Sequence, residues 1–483
     1  MHNETLERAR LARDARFDGR FFIGVKTTGI YCRPICPAVA PKRENVQFFM
    51  SAAAAGEAGF RPCLRCRPEC SPGTPAWTGT SATVRRGLRL IDRGALDDGN
   101  IEALAAKLGV TSRHLRRLFA RHVGASPQAV AHTRRLHFAK RLIDDTGLPM
   151  SDVAIAAGYG SVRRFNAAFR ATYDRTPREL RRSRVRKSLP VERAALTVRL
   201  PYRSPYSWTE VLRFYAMRAI PCVEEIDGDT YRRSLKLGDA ECVIQIRAGI
   251  DHGFLSLQMQ NVPTERVFEV VQMARDVFDL DAPVDDIHAA LSADERLRAL
   301  LATQTGIRVP GCWNGFELAV RAILGQQISV KAATTLSGRI ASRYGTPLHE
   351  PVGSVTHSFP GASQLARARF NNIGLVQCRA DTLRRLARAV LAGDVVFEPR
   401  QDMQKFHQQF TAIKGIGDWT AQYVMMRALK NPDAFPASDL GLVKALCPGE
   451  RVSPATLAER AESWRPWRAY AAMLLWGANN SGG

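Results

Sequence analysis

The spacing of apolar positions changes character along the chain, and each change marks a different kind of element. Residues 1–77 are mixed, with short strand-like and helical stretches broken by Gly and Pro, which predicts a small α/β module. Further on the period becomes helical. Ile101, Leu104, Ala105 and Leu108 share one face, Gly109 supplies a turn, and Thr111-Ser112 caps a second helix. That helix keeps Leu115, Leu118 and Phe119 inside and Arg113, Arg116 and Arg117 outside. The pattern recurs with Val153, Ala154 and Ala157, a turn at Gly158, then Phe165 and Phe169 inside and Arg163, Arg164 and Arg170 outside. A long helical stretch through Arg134, Arg135, Leu136, Leu142 and Ile143 joins the two, so a double helix-turn-helix is expected.

Alternation then takes over. Ala195 to Pro201, Val223 to Ile226, Tyr231 to Leu237, Cys242 to Ala248 and Phe254 to Met259 read as strands, with helices over Tyr206 to Arg218 and Val262 to Phe278. From about Pro283 almost everything reads as helix, including a pair opened by Gly315 to Ser329 and a last helix over Trp464 to Trp476. The expected fold class is multidomain and mainly α. It comprises an α/β module over 1–77, a double helix-turn-helix over 81–184, a basic linker over 185–195, an α+β domain over 196–282 and an all-α domain over 283–483.

Charge narrows the partners. The 483 residues carry 69 Lys and Arg against 46 Asp and Glu, a formal charge of +23, and a chain this basic meets polyanions, nucleic acid first among them. No stretch approaches the ~18 apolar residues a membrane helix needs. The charged N-terminus lacks the apolar core of a signal peptide, so a cytoplasmic chain without a membrane partner is expected. There, ten cysteines argue against disulfides. Cys32-x3-Cys36 and Cys63-x2-Cys66 are two close pairs with the spacing of a tetrahedral thiolate zinc site, and Cys70 lies outside that spacing as a bystander.

The words around these cysteines are Thr27-Thr28-Gly29-Ile30-Tyr31-Cys32-Arg33-Pro34-Ile35-Cys36, Arg43-Glu44-Asn45-Val46 and Gly59-Phe60-Arg61-Pro62-Cys63-Leu64-Arg65-Cys66. They resemble the N-terminal domain of the Ada family of methylphosphotriester repair proteins. The resemblance implies one Zn2+, with Cys32 both ligand and methyl acceptor and Cys36, Cys63 and Cys66 ligands only. A four-thiolate zinc centre carries about two negative charges, so methylating one sulfur lowers its repulsion of DNA and turns repair into a switch. A purely structural zinc knuckle is the competing reading.

Ala156-Ala157-Gly158-Tyr159, Phe165, Phe169, Thr176-Pro177 and Leu180-Arg181 resemble the AraC-type regulator signature. That implies a helix in each of two major grooves, promoter DNA as ligand through Arg116, Arg117, Arg163 and Arg164, and RNA polymerase as a partner. In the α+β domain, Pro221-Cys222 is not followed by His-Arg, so the motif of an alkylguanine methyltransferase is absent.

Near the C-terminus, Ile413-Lys414-Gly415-Ile416-Gly417-Asp418-Trp419-Thr420 places a Gly-x-Gly turn between two helical patterns, where exposed N–H groups at Gly415 and Gly417 can hold a phosphate. Pro436-Ala437-Ser438-Asp439 reads as a helix cap. With Tyr206-Ser207-Trp208, Gly325-Gln326-Gln327 and Trp476, this stretch resembles the AlkA type of 3-methyladenine DNA glycosylase, a helix-hairpin-helix family, from Leu196 nearly to the end. The resemblance implies Asp439 as catalytic aspartate, an aromatic base pocket of Trp419, Tyr423 and Trp476, and a monovalent cation at the hairpin.

The chemistry suits one carboxylate. A methylated purine such as 3-methyladenine or 7-methylguanine is cationic and leaves readily, so the demand falls on the oxocarbenium-like sugar. Related hairpin enzymes with lyase activity keep a lysine where Trp419 stands, so base release without strand cleavage is expected. Gln327 departs from the family's leucine wedge. Asp418 and Asp433 read as a turn residue and a surface group, Trp464 and Trp467 as core. The resulting expectation is a monomeric, nucleoid-associated alkylation-response protein acting on double-stranded, alkylated and promoter DNA. The alternative is a regulator whose glycosylase-like half only binds DNA.

Overall fold

The computed structural model describes residues 3–71, 82–92, 94–97, 99–182, 196–249, 253–398, 402–447 and 452–480. The basic linker expected over 185–195 lies outside them. The chain divides into two units, one made of Met1–Arg203, Gly253–Gln258 and Val262–Gln272, the other of Ser204–His252, Met259–Asn261 and Met273–Gly483. No helix among the described residues is long and apolar enough to cross a membrane.

The first unit begins with α1 (Asn3–Leu11), β1 (Phe22–Val25), β2 (Ile30–Cys32), β3 (Val46–Phe49), α2 (Ala52–Glu57) and β4 (Arg61–Pro62). The strands form a sheet in the order β3-β1-β2-β4, antiparallel except for the parallel β2–β4 pair. Phe22, Tyr31 and Phe49 bury one side with the alanines of α2, while Leu6, Ala9, Phe21, Ile23 and Val46 bury the other with α1. Gly24 is required on β1, because a Cβ there would lie 2.6 Å from the Phe49 ring.

Six helices of the helix-turn-helix pair follow α3 (Ala82–Asp92): α4 (Ile101–Lys107), α5 (Ser112–Val123), α6 (Pro127–Asp145), α7 (Met150–Ala156), α8 (Val162–Tyr173) and α9 (Pro177–Arg182). The side chains of Thr111 and Ser161 cap α5 and α8, accepting from the N–H groups of His114 and Arg164. Both turns need glycine, Gly109 at φ +69° and Gly158 at φ +80°, a region that costs other residues backbone strain. Leu115 and Phe119 on α5, and Phe165 and Phe169 on α8, are fully buried, each stabilising its unit by about 1.5–3 kcal/mol.

The chain continues with β5 (Leu196–Pro201), α10 (Trp208–Ala216), β6 (Glu224–Asp227), β7 (Thr230–Leu237), β8 (Ala240–Ala248), β9 (Phe254–Gln260) and α11 (Val267–Val277). Each expected strand is present. In the second unit β6, β7 and β8 form an antiparallel meander, with Glu224 opposite Arg233. Arg233 is buried between Glu224 (2.7 Å) and Glu317 (3.1 Å), a network whose rupture costs about 3–5 kcal/mol.

The remaining elements are α12 (Val284–Leu291), α13 (Glu295–Thr303), α14 (Gly315–Leu324), α15 (Val330–Tyr344), β10 (Thr346–Val352), β11 (Val355–Ser358), α16 (Ala362–Arg367), α17 (Gln377–Ala392), α18 (Met403–Thr411), α19 (Asp418–Arg427), α20 (Leu440–Leu446), α21 (Pro454–Arg460) and α22 (Arg468–Asn480). The hairpin β10–β11 interrupts a stretch that reads as helical. Leu348 and Val355 on it pack against Val243 of β8, so tertiary burial, not local alternation, makes these residues strands.

Two candidate functional sites

In the first unit β2 ends on Cys32, and the N–H of Cys36 closes a turn by donating to the carbonyl of Arg33 at 3.1 Å. The N–H of Cys63 donates to the carbonyl of Tyr31 at 3.0 Å, which lays the second cysteine pair beside the first. As a result the sulfurs of Cys32, Cys36, Cys63 and Cys66 lie within 4.8 Å of one another. The backbone N–H of Arg33 donates to Cys66 Sγ at 3.3 Å, and its guanidinium is held by Asp18 at 2.8 Å.

Four thiols at this spacing, orientated by a backbone donor, fit one zinc ion. Cys63 and Cys66 are buried, whereas Cys32 and Cys36 are half-buried. Beside them lies a cavity of about 750 Å³, lined among others by Cys32, Cys36, Arg13, Arg61, Arg65 and Arg175. These arginines stand among apolar residues such as Ile23, Val25, Val39 and Leu64, a cationic patch that suits a phosphate backbone.

Sequence reasoning missed how this module is tied to α6. The hydroxyl of Tyr31, one residue before Cys32, bonds His137 Nε2 at 2.8 Å. Arg67, one residue after Cys66, pairs with Asp144 at 2.8 Å. Burial pushes the His137 imidazole down to about 4, so it is neutral and able to share a single proton with the phenol. On α5, Arg113, Arg116 and Arg117 are exposed, as are Arg163, Arg164 and Arg170 on α8.

In the second unit the turn between α18 and α19 is built around Gly415, at φ +101°. A Cβ there would stand 2.1 Å from Thr382 Oγ1, so no other residue fits. Gln326 Nε2 donates to the carbonyl of Gly415 (3.0 Å) and to Thr420 Oγ1 (3.1 Å), fixing the turn against the α14–α15 connection. Gly415 and Gly417 are exposed. Gln327 is exposed too, held in left-handed backbone at φ +58°. Asp418 bonds His407 at 2.8 Å, as befits a turn residue, and Asp433 is a receptor for Arg465 and Arg468.

Asp439 caps α20. Its Oδ1 accepts from the N–H of Leu442 (3.0 Å) and from Trp476 Nε1 (2.9 Å), and its Oδ2 accepts from Trp419 Nε1 (2.9 Å). Both tryptophans thus turn one edge to the carboxylate. The Trp419 and Tyr423 rings stack 5.2 Å apart at 8°, and Tyr423 and Trp476 lie 6.4 Å apart at 59°. All four residues are half-buried, forming an aromatic wall with a carboxylate at its rim. Trp464 and Trp467 are buried in the core.

The pocket's outer support was not legible in the sequence. Arg427, one turn along α19 from Tyr423, is buried and donates to the phenol oxygen at 2.6 Å. Burial raises the Tyr423 hydroxyl's proton affinity, but Arg427, Arg218 and Arg321 together outweigh it and bring the group below the ordinary tyrosine value.

A four-cysteine centre beside two helix-turn-helix units, and a helix-hairpin-helix fold with a capped aspartate, define a DNA-repair protein with a regulatory half. Residues 5–69 match the metal-binding domain of Ada, 104–183 a helix-turn-helix domain, 197–314 the AlkA N-terminal domain and 320–468 the HhH-GPD superfamily of base excision DNA repair proteins. Over 481 residues, 99% of this chain and 97% of the other, the chain is 40% identical to the Mycobacterium tuberculosis protein named "Probable bifunctional transcriptional activator/DNA repair enzyme AlkA". It is 32% identical over 280 residues to DNA-3-methyladenine glycosylase 2 of Escherichia coli K12, covering 57% of this chain and 95% of that protein. The structure of a 3-methyladenine DNA glycosylase from Archaeoglobus fulgidus shares the fold, with a TM-score of 0.53 and 21% identity over 59% of this chain and 98% of that one. The chain belongs to the family of bifunctional transcriptional activator/DNA repair enzymes that join an Ada-type zinc module to an AlkA-type glycosylase.

Proposed function

We propose that the two sites divide the response to DNA alkylation between them. Domain limits at 1–77, 81–184, 185–195, 196–282 and 283–483 suit that division. In the first half, the Cys32 sulfur attacks the methyl carbon of a methylphosphotriester. The S–C bond forms, the C–O bond breaks, and the phosphodiester leaves as an anion. Zinc, held by Cys32, Cys36, Cys63 and Cys66, keeps these thiols deprotonated when bound. The half-buried position of Cys32 beside this cationic patch supports its role as acceptor. Arg116, Arg117, Arg163 and Arg164 contact promoter DNA, where RNA polymerase is recruited by the methylated protein.

In the second half, the exposed N–H groups of Gly415 and Gly417 hold the DNA backbone, with a monovalent cation at the hairpin, and Gln327 fills the gap left by the extruded nucleotide. Extrusion costs a few kcal/mol. Trp419, Tyr423 and Trp476 receive the alkylated purine, to which their π-faces contribute ~1–2 kcal/mol if it is cationic. Asp439 stabilises the sugar's developing positive charge and orients the attacking water. The protein acts as a monomer associated with the nucleoid.

One observation supports the catalytic reading: both carboxylate oxygens of Asp439 accept from the indoles of Trp419 and Trp476 at 2.9 Å, which orients the carboxylate beside the aromatic wall. Base release from methylated duplex tests it against the alternative of a DNA-binding half without activity. Release by wild-type protein and none by Asp439→Asn is expected, and equal release by the two would sink it.

A further inference from the structure

The oxygen of Tyr423 has no part in the base-pocket reading, yet three arginines, Arg427, Arg218 and Arg321, act on it together. Arg427 Nη1 donates to it at 2.6 Å, while the same guanidinium is anchored to the carbonyls of Pro310 and Gly311 at 2.8 Å each. Arg218 faces the oxygen from the segment after α10. The two guanidiniums share the Phe214 ring, 3.9 Å and 4.8 Å from its centroid. Arg321 of α14 bonds the Arg218 carbonyl and adds a third cation. Among the described residues, no acceptor meets the phenol's own hydrogen.

The charges around it do not cancel. Glu224 is shared by Arg321 (3.5 Å) and Arg233, and Glu317 also serves Arg233. Four guanidiniums therefore face two carboxylates. Tyr215 and Cys312, beside Arg427, are kept neutral by burial. Asp439 is bonded to the indoles of Trp419 and Trp476, not to the phenol. An oxygen that only accepts, from charged donors, favours its anion. Left as a neutral phenol, Tyr423 would present a cationic base with a pocket whose back carries surplus positive charge.

We infer that Tyr423 ionises in the pocket and that its phenolate selects positively charged alkylated purines over neutral ones. The hydroxyl proton passes to solvent and no other bond changes. A docked cationic base adds to the pull of the arginines on that proton, so binding and ionisation reinforce each other. A neutral purine gains neither the charge pairing nor the stronger π-face. The selection rests on the base-pocket reading above, but the ionisation does not.

Ultraviolet difference titration of the full-length protein, following tyrosinate absorption, reads the first of its ten tyrosines to ionise. Tyr31, Tyr173, Tyr231 and Tyr470 are pushed well above the ordinary value by burial, so they titrate late. The first transition should vanish in Tyr423→Phe and move to higher pH in Arg218→Met. Its persistence unchanged in both overturns the ionisation. Selection is read by binding in an Asp439→Asn background, comparing a duplex containing 7-methylguanine with the same duplex containing guanine. Adding Tyr423→Phe should lower the preference for the methylated duplex by about tenfold. An unchanged preference, or none to begin with, overturns the selective role. Wild-type protein that releases no base while the titration behaves as expected would instead mark failure of the glycosylase reading.

Discussion

The two sites are assembled in opposite ways. The zinc ligands come from two short segments, residues 32–36 and 63–66, drawn together by backbone hydrogen bonds inside one small sheet. The Asp439 carboxylate, proposed for the glycosylase chemistry, is held by side chains far along the chain, Trp419 twenty positions before it and Trp476 thirty-seven after. The difference follows from the chemistry proposed for each. A sulfur that accepts a methyl group is spent in one event, so it needs reactivity and access; two sulfurs are buried for support and two stay reachable. A carboxylate that turns over must return to the same orientation each time, which suits the engagement of both Asp439 oxygens.

The largest expected effects test whether the division is real. Cys32→Ser should abolish methyl uptake from methylphosphotriester DNA, measured as one methyl mass on the intact protein, and leave base release unchanged. Loss of release as well would mean the halves share a site. Asp439→Asn is the mirror experiment. Single-turnover release of 7-methylguanine should fall by about 10²–10³-fold, the scale for removing a preorganised electrostatic partner, with methyl uptake untouched.

How much of this was readable in advance depended on how local each feature is. The cysteine pairs, the Gly109 and Gly158 turns and the cap at Asp439 are set by residues a few positions apart, and all appear where the sequence places them. Features set by distant partners were invisible. Tyr31 and His137 meet across 106 positions, and nothing around either residue announces it. Arg427 reads as one more arginine on a basic chain until Tyr423, Pro310 and Gly311 are found around it. The β10–β11 hairpin was hidden for a related reason: Pro347 and Pro351 break its alternation, and burial of Leu348 and Val355 supplies what local propensity lacks.

A smaller effect sharpens the comparison. Trp476→Phe keeps the aromatic wall but removes one of the two indole donors on Asp439. A hydrogen bond to a charged group contributes about 1.5–3 kcal/mol, so the rate of base release should fall by about 10–100-fold. Duplex binding should change little. A rate within about twofold of wild type would show that the carboxylate's orientation does not depend on distant support. Gln327→Ala should cost less, roughly threefold, and only on duplex substrate, where a gap must be filled.

A comparably small effect lies in the zinc half and concerns what methylation does there. Converting a thiolate to a thioether removes about one negative charge, worth on the order of 1 kcal/mol at contact distance in water, or about fivefold in promoter affinity at low salt. Because surface charges are screened beyond about 8 Å at physiological ionic strength, a purely electrostatic gain should shrink steadily as salt is added. Tyr31 and Arg67 offer another route, since each neighbours a ligand and bonds α6, the helix joining the two helix-turn-helix units. Their contribution separates from charge by its salt response. Titrating promoter DNA with methylated and unmethylated protein at several salt concentrations, for wild type and Tyr31→Phe, measures both. A gain that fades with salt and survives in Tyr31→Phe assigns the switch to charge alone. A gain that persists in salt and disappears in Tyr31→Phe assigns it to the rigid connection through His137, and would make this module, like the glycosylase site, dependent on a distant side chain.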